Sequence, residues 1–452
     1  MSLPSSATRH RFASLAVFAP LFLSGCVGFG EGTIWVATLD QGAYEARDGE
    51  SLRQTAGLDL YEAFDECDSS LDERCYAFGF DAYEDGGMLA TWSAASLSDG
   101  WGGLEDWRGR IFRTDASGEM IWQVDALDFS VNFPSRLDGV CRYDLDDPCA
   151  PDAELMAATD SDSVRAARLC QFHQPHAVVD ISSGDDIRLI LVDTRNNRLL
   201  QVSVEETSTC AVVEQVLGNA HSGWEDFGAP NHLQVWEDTE RRYVLMTHKD
   251  LIPTEESPGE GRGGVVLWAQ SLGDVYEWGE SAVQTWERVW RYPAEGYLNA
   301  PHNVERFTTG SGDLLVYAHS NGAGDTWNEG NLGSLGIARF DAADGWLSAP
   351  SYVFDVRPDR VVRRNFGFIR DADWVEDERF LLGDSGCLRP EGCEKKRAGL
   401  WDVTVDLSAE PAGGTGAWGD QVFVEPQDAT RFERLEDVYE ADAWMGLSFE
   451  AR

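Results

Sequence analysis

Pro175-His176-Ala-Val-Val-Asp180, followed by Leu189-Ile-Leu-Val-Asp193, is an apolar strand opening on histidine, a polar turn, and a second strand ending on a polar residue. The same figure returns as Asn231-His232-Leu-Gln-Val-Trp236 with Tyr243-Val-Leu-Met-Thr-His248, and as Pro301-His302-Asn-Val-Glu305 with Leu314-Leu-Val-Tyr-Ala-His319. A fourth copy, Arg370-Asp371-Ala-Asp373-Trp-Val375 with Phe380-Leu-Leu-Gly-Asp384, replaces the histidine. A figure repeated at a near-constant period marks a repeat architecture, and a polar residue at one place in each copy marks a shared surface around one site. Each copy is followed by a second pair of strands. Gly109–Thr114 with Glu119–Val124 across the turn Asp115-Ala-Ser-Gly118, Val265–Gln270 with Glu287–Tyr292, and Leu335–Asp341 with Ser351–Val356 are such outer hairpins.

The units run over 79–125, 173–217, 231–292, 301–356 and 369–425. Their spacing is wider than the ~40–50 residues of compact propeller repeats, so the loops are long. Strands are left over at both ends, Thr33–Leu39 and Val438–Phe449. Joined, they supply a sixth unit and leave no free sheet edge. The expected fold is all-β: a single β-propeller of six four-stranded blades closed by N- and C-terminal strands. Two β-sandwiches are the alternative, but they give no reason for a histidine at each repeat start. Residues 126–170 are an insertion, helical in spacing over Ala153–Cys170, and the acids Asp144, Asp146 and Asp147 within it read as a solvated turn rather than a calcium loop.

The first residues read as a targeting segment. Arg9, His10 and Arg11 precede an apolar run from Phe12 to Phe22, too short for the ~20 residues that span a bilayer. Leu23-Ser24-Gly25-Cys26 then has the form of a lipobox. The expected organisation is a lipoprotein signal peptide over 1–25, a tether over 26–32 lipidated at Cys26, and the propeller over 33–452. Val27 after the lipid site points to the outer membrane of a bacterial envelope, with membrane contact only through the anchor. Eight cysteines remain, an even number for an exported protein. Sequence proximity pairs Cys67 with Cys75, Cys141 with Cys149 and Cys387 with Cys393, leaving Cys170 for Cys210. No Cys-x-x-Cys spacing exists, so no zinc–thiolate site is expected.

The formal net charge is −43, and Lys249, Lys395 and Lys396 are the only lysines. A surface of that sign repels nucleic acid and anionic lipid. The 17 tryptophans in a 43% hydrophobic chain indicate a packed protein rather than a disordered one. Arg357, Arg360, Arg363, Arg364 and Arg370 form one basic stretch. It is either salt-bridged to surplus acids or a local attractor for an anion.

Apart from His10, the histidines lie between 173 and 319: His173, His176, His221, His232, His248, His302 and His319. Imidazoles gathered at one propeller mouth offer bases, anion donors or nucleophiles. The figure His-x-x-x-strand, turn, strand ending in Asp193-x-x-Asn196, then Arg198-Leu-Leu-Gln-Val202, together with Phe112-Arg-Thr-Asp115-Ala-Ser-Gly118-Glu-Met-Ile-Trp122, resembles the blades of bacterial arylsulfotransferases over about residues 79–405. The resemblance implies a six-bladed periplasmic propeller that moves a sulfuryl group from a phenolic sulfate to another phenol through a funnel histidine, without a cofactor and as a monomer. It implies His302 as nucleophile, His176 and His232 as acid/base and oxyanion donors, Asn303 beside them, and Arg370 on the sulfate. His173, Asn231, His248, His319, Asp371, Asp373 and Asp193 are the expected substrate-binding residues. The chain departs from that family where its late unit begins Arg370-Asp371, without histidine. Two other readings stay open: a non-catalytic mouth that binds a ligand or partner, and a metal held by His176, His232 and His302.

Overall fold

The computed structural model describes residues 32–38, 42–47, 53–54, 73–83, 87–96, 108–132, 141–159, 161–184, 186–218, 228–248, 263–272, 286–292, 301–309, 312–320, 333–340, 351–355, 369–376, 379–384, 399–405, 421–424, 430–436 and 444–451. Cys26, Cys67, His221, Cys387, Cys393 and Arg357 to Arg364 lie outside them.

The described chain is all-β and forms six sheets. The first is a meander of β4 (Glu73–Ala82), β5 (Met88–Ser96), β6 (Arg108–Thr114) and β7 (Met120–Val124). The second is β9 (Pro175–Asp180), β10 (Ile187–Asp193), β11 (Arg198–Val204) and β12 (Cys210–Gly218), with β8 (Ala126–Asp128) added in parallel outside β12. The third is β13 (Pro230–Glu237), β14 (Arg241–His248), β15 (Gly264–Ser271) and β16 (Glu287–Tyr292). The fourth is β17 (Pro301–Thr309), β18 (Gly312–Ser320), β19 (Gly333–Phe340) and β20 (Ser351–Asp355). The fifth is β21 (Ile369–Glu376), β22 (Arg379–Asp384), β23 (Gly399–Val405) and β25 (Thr430–Glu436). The sixth joins the ends: β26 (Trp444–Ala451) pairs with β1 (Gly32–Thr38), which continues to β2 (Gly42–Arg47) and β3 (Arg53–Gln54). The first strands β4, β9, β13, β17, β21 and β26 each pack on the next, and β26 returns to β4. This is a β-propeller arrangement. The terminal strands pair as the leftover segments suggested, over Gly32–Thr38 and Trp444–Ala451; residues 438–443 of the expected segment lie outside the described residues.

Sequence dictates this stacking through strands that are apolar on both faces. In β10, Leu189 and Leu191 join the core shared with the first sheet, among Leu89, Ile111, Trp122 and Val124. Ile190 and Val192 face the other way, into the core shared with the third sheet, among Val244, Met246, Val266 and Trp268. An unbroken apolar run is therefore a strand between two neighbours. Near the axis the approach is tight: a Cβ on Gly79 of β4 would come within 2.7 Å of Ala177 Cα and 2.8 Å of His176 O in β9. Glycine is required there for proximity.

Two expectations are corrected. The fifth sheet does not end at 425: β24 (Gln421–Val424) crosses to lie parallel to β20 on the preceding sheet, and β25 closes the fifth. The parallel additions β8 and β24 each tie a sheet to its neighbour at the outer edge. The cysteine pairing also differs, for Cys141 bonds to Cys170 and Cys149 to Cys210. The cause is register. Tyr143 bridges Pro151, and Asp144 and Ala150 share a backbone hydrogen bond, so Cys141 and Cys149 sit at different heights of one small hairpin. The helical part divides into α1 (Ala153–Met156), capped by Asp152, and α2 (Ser161–Arg168). Arg142 N–H donates to Ala166 O and Leu127 N–H to Cys170 O, which docks Cys170 beside Cys141. Cys149 at the hairpin tip reaches Cys210, where β12 pairs with β8. Asp144 and Asp147 accept backbone N–H groups of Asp146 and Cys149, so these acids form turns.

The two bridges close spans of 29 and 61 residues. The chain-entropy account assigns each roughly 4 kcal/mol, more than the short loops expected from proximity. Peptide mapping without reduction should recover Cys141–Cys170 and Cys149–Cys210 peptides. A Cys141–Cys149 fragment in the native protein would refute this connectivity.

Candidate functional site

In each first strand the ladder slips by one residue. Pro175 faces Asp193 and Ala177 faces Val192, so His176 is the extra residue. In the third sheet Pro230 faces His248 and Leu233 faces Met246; in the fourth, Pro301 faces His319 and Asn303 faces Ala318. Ile369 faces Asp384 and Asp371 faces Gly383, Ala77 faces Trp92 and Phe80 faces Ala90, and Trp444 faces Thr38 while Gly446 faces Ala37. A β-bulge re-aims the residues it carries. These registers make Phe78, His176, Asn231, His302, Arg370 and Met445 equivalent. The next position holds Gly79, Ala177, His232, Asn303, Asp371 and Gly446.

This revises the equivalence read from sequence. His176 and His302 directly follow proline, but His232 is one residue further along, and the match to His302 is Asn231. Likewise Arg370, rather than Asp371, occupies the His302 position of the fifth sheet.

The offset has a chemical consequence. Asn231-His232 on β13 faces His302-Asn303 on β17, so each histidine meets the other strand's asparagine. His302 Nδ1–H donates to Asn231 Oδ1 at 3.0 Å, and Asn303 Nδ2–H donates to His232 Nε2 at 3.2 Å. With the amides oriented this way, His302 carries its proton on Nδ1 and presents Nε2 as the basic nitrogen of the neutral ring. His232 accepts that amide N–H at Nε2. Threonine satisfies the backbone that the bulge disrupts. His232 N–H donates to Thr247 Oγ1 at 3.1 Å, and the Thr247 hydroxyl donates to His302 O at 3.4 Å. Gly79 N–H makes the matching bond to Thr91 Oγ1 at 2.7 Å. His176 Nδ1 lies 2.5 Å from Thr194 Oγ1, whose hydroxyl donates to Pro230 O at 2.6 Å, so the proton between them belongs to His176. His302 and Asn303 are buried, whereas His176 and His232 are half-buried.

Other expected residues sit in or beside the wall. Asp193 is fully buried, accepts from His173 N–H, and binds Asn196 and Arg198, with Arg198 Nε and Nη2 both at 2.8 Å. Burial raises the Asp193 pKa, opposed by the charge of Arg198 and by hydrogen bonds. Arg198 also donates to Leu169 O, joining the insertion to the second sheet. His173 is buried beside this pair. His248 ends β14, fully buried, with neither ring nitrogen hydrogen-bonded among the described residues. Burial, with the charge of Arg291 adding to it, pushes its pKa down to about 3. Arg370, Asp371, Asp373 and His319 are placed by strand register alone. Among the described residues no three His, Cys, Asp or Glu gather to hold a metal ion. Among the same residues no helix is long and apolar enough to cross a membrane. Sequence reading missed Thr91, Thr194 and Thr247. A threonine on the second strand, in Ala90-Thr91-Trp92 and in Met246-Thr247-His248, is the signal that could have found two of them.

No protein-family model matches the chain, and no curated protein matches it in sequence. Among solved structures, a protein from Bacteroides uniformis ATCC 8492 provisionally described as a 6-phosphogluconolactonase superposes with a TM-score of 0.41 at 10% identity, over 93% of this chain and 99% of that one. The Penicillium chrysogenum alpha-L-arabinanase complexed with arabinobiose gives 0.38 at 11% identity over 83% and 93%. The GH93 alpha-L-arabinofuranosidase of Fusarium graminearum gives 0.37 at 10% over 83% and 98%. At these scores the likenesses carry no argument about activity.

Two measurements check the wall. Arg198→Met strands a buried carboxylate and should lower stability by about 3–5 kcal/mol, while the double variant Asp193→Leu/Arg198→Met should recover part of it; equal losses in denaturant melts would show that the pair itself is not the cause. For His248, the ordinary value is 6.5 and the folded value about 3. The unfolded chain therefore binds the proton first. Stability is full above 6.5 and falls as pH drops through the window toward 3. From pH 7.5 to pH 4.5, Tm should fall less in His248→Leu than in the wild type, and parallel profiles would contradict the assignment.

Proposed function

We propose that the six sheets close as a six-bladed propeller whose axial mouth carries out sulfuryl transfer between phenolic compounds, in an exported lipoprotein anchored at Cys26. The observation that carries this reading is the hydrogen bond from His302 Nδ1–H to Asn231 Oδ1. A ring nitrogen fixed as donor leaves the opposite one as nucleophile, and the orienting partner comes from the neighbouring sheet. In the first step His302 Nε2 attacks sulfur, an N–S bond forms, the S–O bond to the aryl group breaks and the leaving phenolic oxygen takes the Nε2 proton of His176 in its imidazolium form, while His176 Nδ1–H stays on Thr194. In the second, an acceptor phenol gives its proton back to His176, its oxygen attacks sulfur and the N–S bond breaks. Arg370, at the equivalent position beside His302, suits the sulfuryl oxygens because a guanidinium fork matches a tetrahedral anion. Asn303 donates its amide N–H to His232 Nε2 alongside.

A second reading is a non-catalytic mouth that binds a ligand or partner. It is favoured by the burial of His302, only 2% exposed.

Purified mature protein given 4-nitrophenyl sulfate and a phenol acceptor should release 4-nitrophenolate and, without acceptor, carry one sulfo group on His302 by mass spectrometry. His302→Asn should abolish both. Asn231→Ala should lower kcat by roughly a hundredfold while its Tm stays near that of the wild type. Absence of turnover and of sulfo-His302 would rule out transfer and leave the binding reading.

A further inference from the structure

The stretch that leads into β9 is gripped by the residues that end β10. Asp193 accepts His173 N–H, and Arg195 N–H donates to His173 O at 3.1 Å. Asn196 Nδ2–H donates to Gln171 O at 3.1 Å. Thr194 accepts His176 Nδ1–H, and Arg195 Nε–H donates to Gln174 Oε1 at 3.1 Å. Thr194, Arg195 and Asn196 make a single 3-10 turn, anchored by the buried pair of Asp193 with Arg198. Gln174 and His176, two residues apart, are therefore held in a fixed relation by adjacent residues of one turn.

Gln174 carries two costs. Its φ is +53°, in the left-handed region that disfavours residues with a side chain. Ala229, which precedes Pro230 in the third sheet as Gln174 precedes Pro175, has φ +47°. The same backbone is made there with alanine, so the turn itself does not call for a long amide. The second cost is in the side chain. Gln174 is 1% exposed, and its Nε2 meets no hydrogen-bond acceptor among the described residues. Flipping the amide gives no relief. A guanidinium only donates, so the amide oxygen must face Arg195 and the N–H groups must point elsewhere. A buried donor without an acceptor is costly, and backbone strain together with an unmade bond at one residue points to a bound molecule.

That molecule must offer an acceptor. The Asp193 carboxylate beside this turn is already matched by Arg198, whereas the Arg195 guanidinium adjoins the amide, so an anionic oxygen is favoured over a neutral one. His176 contributes in the same sense: its Nδ1 is turned to Thr194, which leaves Nε2 on the side away from the turn.

We infer that Gln174 is a ligand-binding residue that donates its amide N–H to an anionic oxygen of the molecule held at the mouth, with Arg195 as the positioning residue that fixes the amide. The inference rests on the proposal that the mouth takes a sulfate or sulfo group, but it does not require His302 to be the nucleophile. Its test is therefore binding of inorganic sulfate, followed by calorimetry on the purified mature protein. Gln174→Met keeps the length of the side chain without the donor and should weaken sulfate binding roughly tenfold. Gln174→Glu keeps the acceptor for Arg195 but brings negative charge and no donor, and should abolish binding. Arg195→Lys keeps the charge but loses the directed Nε–H, and should fall between wild type and Gln174→Met. Ala229→Gly relaxes the same left-handed backbone without touching an amide; it should raise Tm and leave sulfate affinity unchanged. No sulfate binding by the wild type, equal affinity in Gln174→Met, or an equal loss in Ala229→Gly would overturn the assignment. So would crystals grown with sulfate in which Gln174 Nε2 bonds only an ordered water. Sulfate binding that depends on Gln174, in a protein that never forms sulfo-His302, would uphold the residue and sink sulfuryl transfer. Sulfo-His302 formed alike by the wild type and Gln174→Met, with equal sulfate affinity, would do the reverse.

Discussion

A sheet that is apolar on both faces must have a neighbour on each side. That constraint organises this protein. In β10 the alternation of Leu189 and Leu191 against Ile190 and Val192 feeds two separate cores, one shared with each adjacent sheet. Any open stack of such sheets leaves two apolar faces in water. At about 25 cal/mol per Å², even part of one face is a large fraction of a domain's net stability. Packing of β26 on β4 removes both end faces together, and pairing of β26 with β1 makes the closure a hydrogen-bonded one. The parallel additions β8 and β24 act in the same direction at the outer edge, where neighbouring sheets diverge and have fewer contacts of their own.

The central slip in each first strand then converts a packing solution into a chemical one. A regular strand would present alternate residues to its two faces, both of which are core. The inserted residue interrupts the alternation where the sheets converge, so two consecutive positions no longer follow the two-face rule. Their backbone groups lose ladder partners and take threonine hydroxyls instead, as with Thr91 and Thr247. Phe78, His176, Asn231, His302, Arg370 and Met445 share this one register without chemical similarity.

Much of this was legible in the sequence. Unbroken runs such as Leu189-Ile-Leu-Val192, turn residues such as Asp115-Ala-Ser-Gly118, and the leftover terminal strands suffice for an all-β propeller with paired ends. The cysteine pairing was not legible, because proximity along the chain says nothing of the hairpin register set by Tyr143 and Pro151. The crossing of β24 was hidden for a similar reason: a four-residue strand carries no mark of the sheet it joins. At the site, histidines could be found but not aligned. Alignment on the imidazoles sets His232 against His302, whereas alignment on Pro230 and Pro301 sets Asn231 there, and only the ladder decides between them.

The one-residue offset matters more than the number of histidines. Had β13 carried histidine directly after Pro230, two imidazoles would meet across the sheet boundary, and protonation of either would disfavour protonation of the other. Because Asn231 meets His302 and His232 meets Asn303, each ring instead contacts a neutral amide with both donor and acceptor capacity. The asparagines assign tautomers without adding charge. In a chain of net charge −43 that distinction is useful. A carboxylate in the place of Asn231 would favour imidazolium and so remove the nucleophile. In the proposed sulfuryl transfer, the asparagine arrangement leaves Nε2 of His302 as the basic nitrogen, because Asn231 accepts from the proton on Nδ1.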